Sequence, residues 1–292
     1  MALKINYNYQ SDFTHANVLN TEFAMNKNME KLATGHRINS AADDAAGLYI
    51  ADQLKTYAVS LDQGTKNAQD GISIAQIAQG SMKNAYNILN DIKSKAIQAS
   101  NTLDSKARNQ LQQDINHLVD TIGKVFKDTE FNGLNIFVKS VAGTSNSAGS
   151  FKIHYGGRNS QELDINKLGA NVSTATLTGT ASSKILLGSV TYTIDVTSQS
   201  KANNTVKTVD DLIKAVDNEA AKFGSKQIEL EKIISNNETQ KINTSDAEGR
   251  IRNVDFAKEM SEFTKNKILM QSGISMLAQA NQQSQLVRQL LR

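Results

Sequence analysis

The sequence predicts a mainly α fold, an elongated helical rod with coiled-coil terminal helices and a small β-rich insertion in the middle of the chain. In the first and last thirds, apolar residues recur at intervals of three, four and seven, which is typical of helices that pack along a stripe. Only 5% of the 292 residues are aromatic and none is proline, a composition that suits long helices. A Ser/Thr-rich stretch with alternating β-branched residues separates the two helical thirds.

Three helices are predicted in the first third. The first ends near Gly35, the second ends near Ser100, and the third ends at the turn Phe131-Asn132-Gly133. Because a helix with one apolar face is marginal alone, each is predicted to pack against a partner. Their apolar stripes are Val18, Met25, Met29 and Leu32, then Ile74, Ile77, Ala85, Ile88 and Ile92, then Leu111, Ile115, Leu118, Ile122 and Val125.

The last third mirrors the first with two predicted helices. One begins after a cap at Thr208, and the other continues toward the C-terminus. Their spacing is that of heptad repeats. The stripes are Ile213, Val216, Ala220, Phe223, Leu230 and Ile234, then Phe256, Met260, Phe263, Met270, Ile274 and Leu277.

The middle of the chain is predicted to be a separate outer knob rich in β-structure. A hairpin is expected around Gly156-Gly157, and a further strand over the β-branched run from Val190 to Val196. The predicted segments are an N-terminal helical assembly segment (1–40), N-terminal rod helices (41–137), a β-hairpin region of the rod (138–170), a small outer insertion (171–208), a C-terminal rod helix (209–250) and a C-terminal helical assembly segment (251–292).

Charge and residue types exclude several classes of function. The net charge of +3, from 32 basic and 29 acidic residues, is too balanced to predict a nucleic-acid surface. No apolar run approaches the roughly 20 residues of a membrane span, so no membrane partner is expected. The chain has no cysteine and its four histidines are scattered, so neither a metal site nor a cofactor is predicted.

Asp43 and Asp44 are neighbouring carboxylates, a pattern that acid–base catalysis also uses. Before a helix, however, such residues more often act as caps and favour the positive end of the helix. The sequence therefore predicts no enzymatic activity.

The N-terminus has no cationic region followed by an apolar one, so the protein is expected either to stay in the cytosol or to be exported without a cleaved signal peptide. A chain without proline and cysteine also refolds without slow isomerisation or disulfide steps. This composition suits export in an extended state.

Motifs at opposite ends of the chain resemble those of bacterial flagellins. The N-terminal motif runs from Leu32 to Ala51 (LATGHRINSAADDAAGLYIA) and is followed by NAQDGIS at 67–73 and FNGL at 131–134. The C-terminal motif is ISMLAQANQ at 274–282, with Leu-Leu-Arg at 290–292. The resemblance covers residues 1–137 and 209–292, and the middle of the chain matches little.

This resemblance implies a structural subunit of the extracellular bacterial flagellar filament, used in swimming motility. It implies that the terminal segments pair as a coiled coil and that the stretch around Asp43 and Asp44 makes subunit contacts. The partners implied are further copies of the chain, a flagellar export chaperone, the filament cap protein and the hook-filament junction proteins. The candidate assembly residues are Val18, Met25, Met29, Leu32, Arg37, Asn39, Asp43, Asp44, Met270, Ile274, Leu277, Val287, Leu290, Leu291 and Arg292.

Two other functions stay open at this point. A hook-filament junction protein would share the helical ends and a similar length, although such proteins usually depart from the motifs kept here. A surface adhesin would use the insertion to bind a ligand. The insertion also contains a Ser/Thr cluster that is either a glycosylation surface or an ordinary polar loop, at Ser173, Thr174, Thr176, Thr178, Ser182 and Ser183.

The resemblance also implies an encounter with the host innate immune receptor that senses flagellins. Its rod-helix patch in the family resembles Leu-Gln-Arg-x-Arg-Glu-Leu-Ala-Val-Gln, which aligns with residues 89–98 here. Asp91 stands where the family has arginine and Lys95 where it has leucine, so recognition is expected to be weak. The candidate patch residues are Asp91, Lys95, Ile97 and Asp114.

Overall fold

A computed structural model describes residues 8–137, 152–164, 172–176, 183–187 and 190–290, and confirms the mainly α class. The helices are α1 (Tyr9–Thr34), α2 (Ala45–Asn101), α3 (Ser105–Lys127), α4 (Gln199–Arg252) and α5 (Phe256–Leu290). The strands are β1 (Glu130–Phe131), β2 (Leu134–Asn135), β3 (Lys152–His154), β4 (Glu162–Asp164), β5 (Val172–Thr176), β6 (Ser183–Leu187) and β7 (Val190–Ile194). They form two antiparallel hairpins, β1–β2 and β3–β4, and an antiparallel sheet in the order β5–β6–β7.

The chain divides into two compact units. Unit 1 contains residues 1–58 and 242–292, and unit 2 contains residues 59–241. Helices α2 and α4 contribute residues to both units.

The core of unit 2 combines the predicted helix stripes with aromatic rings. Ile92 and Ile115 are fully buried, whereas Ile77, on the predicted stripe of α2, is 39% exposed. Phe137 packs edge-to-face against both Phe126 and Phe223, with centroid distances of 5.0 and 6.1 Å. Such pairs add stabilisation beyond the area they bury, so the rings fasten the end of α3 and the residues after β2 to α4.

The predicted turn after α3 is confirmed as the two-residue connection of the β1–β2 hairpin. Asn132 and Gly133 have φ of 51° and 74°, the left-handed values that a type I′ turn requires at both positions. The Asn135 side chain donates to Phe126 O at 3.2 Å and thereby ties the hairpin to the end of α3.

The predicted hairpin around Gly156-Gly157 is also confirmed, and it packs on both long helices of unit 2. Asn67 of α2 donates to His154 O at 2.8 Å, and Asn237 of α4 donates to Tyr155 O at 2.6 Å. A Cβ at Gly64 would lie 2.4 Å from Tyr155 O, so only glycine permits this close approach of the hairpin to α2.

The β5–β6–β7 sheet shares the core of unit 2, which corrects the prediction of a separate knob. Ile185, Ile194 and Val196 are buried in the same apolar cluster as the helices. The buried Gln112 of α3 accepts a hydrogen bond from Val196 N at 2.6 Å and donates to Asn116 at 2.8 Å. The chain leaving β7 is therefore fastened to α3 by a buried amide as well as by apolar contacts.

Helix α4 begins at Gln199, earlier than the predicted start after Thr208, so residues 199–208 are helical. The reason is that the buried face of α4 extends back through Ala202, Thr205 and Val209 at heptad spacing. Alanine and threonine give little apolar signal in a sequence. The buried hydroxyl of Thr205 has a hydrogen-bond partner, because it donates to Asp195 O at 2.8 Å.

We predict that Ile185→Ala lowers the free energy of unfolding by about 2 to 5 kcal/mol, because Ile185 is only 2% exposed and the substitution leaves a cavity. The exposed control Ile228→Ala, at a position 59% exposed, should change it by less than about 0.5 kcal/mol. Urea unfolding followed by circular dichroism measures both. Should Ile185→Ala not fold, Ile185→Val is expected to cost about 0.5 to 1.5 kcal/mol. Equal stability of the Ile185 and Ile228 variants would contradict a role of the sheet in the core.

Candidate assembly surface

Helices α1 and α5 pair antiparallel in unit 1. At one end of the pair, Asn8 donates to Ala280 O at 3.1 Å and Ser11 donates to Asn281 Oδ1 at 3.0 Å. At the other end, Lys31 Nζ lies 3.6 Å from Glu259 Oε1. Contacts between the two chain ends are thus made along the whole length of α1.

The facing sides of the pair bury little apolar surface. Three of the four residues of the predicted α1 stripe, spaced seven apart, are half-buried, as are three residues of the α5 stripe. Among the described side chains of the two helices, only Ala280 is buried. The half-buried stripe residues are Val18, Met25, Leu32, Phe263, Met270 and Leu277. The pair therefore lacks the buried core that normally stabilises helices.

Large apolar side chains also point away from the pair. Phe23 is 74% exposed and Ile274 is 52% exposed. Monomeric proteins rarely expose large contiguous apolar patches, and such patches mark interaction surfaces. The exposed apolar residues of α1 and α5 are Tyr9, Phe13, Leu19, Phe23, Met29, Phe256, Met260, Ile268, Leu269, Ile274 and Met276.

The structure divides the predicted assembly residues of the helices into two sets. Met29 and Ile274 belong to the exposed set, and the other five described ones are half-buried within unit 1. Val287 and Leu290 lie on the described backbone of α5, but their side chains are outside the described part, as are Leu291 and Arg292 altogether. The single stripe predicted on each helix therefore contains both residues that face the other helix of the pair and residues that are exposed to solvent.

The loop after α1 is hydrogen-bonded to the end of α4 and to the segment between α4 and α5. Gly35 ends α1 in the left-handed conformation, with φ 71°, and its carbonyl accepts from Val254 N at 3.0 Å. Arg37 N donates to Arg252 O at 2.7 Å, and the Arg37 guanidinium donates to Ile251 O at 2.7 Å. Arg37, a predicted assembly residue, thus makes backbone contacts within its own chain.

Asp43 organises the same loop, together with Asn39. Its Oδ2 accepts from the backbone N–H groups of Asn39 and Ser40 at 3.1 and 3.2 Å, and its Oδ1 pairs with Lys27 Nζ at 2.7 Å. The hydrogen bond from Lys27, followed by those from the two backbone N–H groups, lowers the pKa of Asp43 from 3.8 to about 2. The carboxylate therefore stays ionised and fastens the loop to α1.

Asp44 caps α2. Its Oδ1 accepts from Gly47 N at 2.9 Å, which satisfies one of the free N–H groups in the first turn of the helix. Asp44 is thus the helix cap, whereas Asp43 makes loop contacts instead of a cap.

The candidate receptor patch lies on α2 and α3. Asp91 is exposed, Ile97 is 44% exposed, and Lys95 Nζ pairs with Asp114 Oδ2 at 2.9 Å. The ammonium of Lys95 is therefore held against α3 at the position where the family pattern has an apolar side chain.

The candidate glycosylation residues lie mainly on strands where they are described. Ser173, Thr174 and Thr176 belong to β5 and Ser183 to β6, whereas Thr178 and Ser182 lie outside the described residues. The four described residues therefore lie on strands and not in a loop, and their glycosylation stays a prediction. Within the described part of the chain, no helix has the length and apolarity needed to cross a lipid bilayer.

Comparisons with known proteins match both ends of the chain. Residues 5–142 match the family described as the bacterial flagellin N-terminal helical region, and residues 206–291 match the bacterial flagellin C-terminal helical region. The chain is 37% identical to a flagellin of Bacillus subtilis (strain 168), covering 99% of this chain and 100% of that protein. It is 34% identical to the flagellar filament 33 kDa core protein of Treponema phagedenis, covering 99% of each.

A solved structure from Vibrio parahaemolyticus, described as a flagellar hook-associated protein, shares the fold. Its TM-score is 0.50 at 12% identity, over 72% of this chain and 100% of that chain. At this identity the similarity concerns the fold alone.

The pH dependence of the loop contact gives a second prediction. Asp43→Asn keeps an oxygen acceptor but removes the charge that pairs with Lys27. Because the pKa of Asp43 is lower in the folded protein than its ordinary value, its ionised form contributes stability above about pH 4, and that contribution is lost as the pH falls through about 2. We expect Asp43→Asn to melt below the wild type at about pH 6.

This difference in melting temperature should shrink as the pH is lowered from about 4 to about 2, where the wild-type carboxyl itself becomes neutral. Circular dichroism measures it, and Asp91→Asn on the exposed face of α2 is the control. A difference that stays constant over this range would mean that the charge of Asp43 does not stabilise the loop.

Proposed function

The chain belongs to the bacterial flagellin family, and we propose that it polymerises through the exposed apolar side chains of α1 and α5. It is a structural subunit of the extracellular flagellar filament, and it associates with further copies of itself. The observation that supports this location of the contacts is the exposed apolar set on two helices that bury almost no core.

The physical argument begins with the weakness of the helix pair. Isolated helices are marginal in water, and most of their stability in proteins comes from packing an apolar face. Fully burying one large apolar side chain contributes about 1.5 to 3 kcal/mol. Several such residues per subunit therefore offset the entropy lost on association. If the same contact recurs without closing a ring, the product is an open helical polymer.

Arg37, Asn39, Asp43 and Asp44 contribute to assembly by holding the loop between α1 and α2 in one conformation. This proposal is supported by their contacts within the chain. A fixed loop reduces the conformational entropy lost when the neighbouring helices join a polymer.

The other partners proposed are an export chaperone, the filament cap protein and the hook-filament junction proteins. The exposed apolar residues support a chaperone, because such a surface needs cover before the subunit reaches the growing end. Export without a cleaved signal peptide is part of the same proposal.

The alternative functions receive less support. The similarity to the hook-associated structure concerns the fold alone, whereas the flagellins match over the full chain. A ligand-binding adhesin knob is disfavoured because Ile185 and Ile194 belong to the core of unit 2.

Assembly through α5 gives a third prediction. Ile274→Gln should slow filament growth from seeds by about tenfold or more, because it removes one apolar contact of about 1.5 to 3 kcal/mol. The control Lys267→Gln places the same side chain at another exposed position of α5 and should grow normally. Light scattering of seeded growth and circular dichroism of the monomer are the measurements. Normal growth of Ile274→Gln, with unchanged monomer melting, would place the contact elsewhere.

Weak stimulation of the flagellin-sensing receptor gives a fourth prediction. Asp91→Arg combined with Lys95→Leu should raise the response, because it supplies a bidentate donor beside an apolar side chain that an interface can desolvate. Each missing contact is worth on the order of 2 kcal/mol, so the pair could change potency by about a thousandfold if the effects add.

Dose-response curves in receptor-expressing cells measure this change. The control Asp114→Asn releases Lys95 from its ion pair without adding an apolar group, and should leave the response low. A wild type already as potent as a flagellin with the full family pattern would contradict the proposal.

A further inference from the structure

We propose that the exposed methionines of unit 1 make polymerisation sensitive to two-electron oxidants such as hydrogen peroxide. Among the described residues, these exposed methionines are Met29 of α1 and Met260 and Met276 of α5. The inference rests on the proposed role of the exposed apolar set in assembly, and it adds a chemical modification that controls that role.

The composition leaves methionine as the main target of such oxidants. The chain has no cysteine and no tryptophan but seven methionines. A thiolate would otherwise react first, since it is the side chain most readily oxidised at sulfur. The thioether is therefore the soft nucleophile that remains.

Accessibility separates the six methionines within the described residues into three groups, and Met1 lies outside those residues. Met29 and Met260 are each 49% exposed and Met276 is 57% exposed. Met25 and Met270 are half-buried where α1 and α5 face each other. Met82 is only 1% exposed, in the core of unit 2, so it serves as an internal reference for a protected thioether.

The reaction transfers one oxygen atom. A sulfur lone pair attacks one oxygen of hydrogen peroxide, the O–O bond breaks, an S–O bond forms, and the departing hydroxide takes up the remaining proton to leave as water. The sulfur is oxidised by two electrons and the peroxide is reduced. The product, methionine sulfoxide, is a polar and chiral group in place of a flexible apolar one, and reductases specific for its two epimers reverse the change.

The consequence for assembly follows from the outward position of the three side chains. Their sulfoxides remain solvated in the monomer, so the α1–α5 pair is retained. In the polymer the S–O group would be buried against apolar neighbours, and burying a polar group without a donor is unfavourable. Oxidation should therefore block incorporation while leaving the subunit folded.

The first measurement uses the full chain and hydrogen peroxide. Peptide mapping by mass spectrometry should find Met29, Met260 and Met276 oxidised first, and Met82 at least about tenfold more slowly because it is buried. Growth from untreated seeds should fall by about tenfold or more. Treatment with both methionine sulfoxide reductases should restore it. Filaments assembled before treatment should be oxidised more slowly at the three exposed positions.

Two variants isolate the cause. Replacing all three exposed methionines by leucine removes their thioethers while roughly conserving volume and apolarity. Whatever its untreated growth rate, this variant should grow equally fast with and without peroxide treatment. The matched control Met82→Leu retains the exposed methionines and should stay sensitive.

The outcomes separate the two proposals. Failure of untreated wild type to grow from seeds contradicts the assembly role itself. Normal growth of the oxidised wild type, equal inhibition of the triple-leucine variant, or no recovery after reductase treatment each overturns the oxidation proposal. The reductase result decides the question even if the triple-leucine variant does not assemble.

Discussion

The structure of unit 1 depends on one constraint: α1 and α5 have apolar residues on more than one face, and their pairing covers only one. Val18 and Leu277 are half-buried within the pair, while Phe23 and Ile274 remain exposed. Water is a poor solvent for those exposed groups. In the proposed assembly, a polymer that covers them would supply the packing that the pair lacks, and folding of α1 and α5 would thereby be coupled to assembly.

In unit 2, the apolar faces of the helices are covered by other parts of the same chain. These helices bury their apolar faces against one another, against the β3–β4 hairpin and against the sheet, where Ile185 and Ile194 join the core. Polar groups at the joints are satisfied, as in the bond from Val196 N to Gln112. A subunit with this division can keep one stable part while its ends stay responsive to partners, which is consistent with a protein that is exported before it assembles.

The sequence predicted most of the helices because their apolar spacing is regular and glycine or Asn-Gly marks their ends. Gly35 and the turn at Asn132-Gly133 lie where the sequence predicts them. Other features depend on contacts that spacing does not reveal. The early start of α4 rests on the buried Thr205, and the inward position of Ile185 follows from strand pairing.

The candidate assembly residues show the same limit. A spacing of three and four placed Met29 and Ile274 on the same stripes as Leu32 and Leu277, although the first two are exposed and the others half-buried. An apolar stripe fixes which residues avoid water but not which partner covers them, since a second helix and a second subunit present similar surfaces. The contacts of Arg37 with the backbone at Ile251 join positions far apart in the chain and have no local signal.

Hydrogen exchange tests the central claim, that α1 and α5 are stabilised by burial in the polymer. The amide protection of these two helices is compared with that of α3, first in the monomer and then in the filament. The account predicts that the amides of α1 and α5 exchange much faster than those of α3 in the monomer. In the filament they become protected, because packing against neighbouring subunits suppresses local opening of the helices. Protection of α1 and α5 in the monomer equal to that of α3, with no increase on assembly, would contradict it.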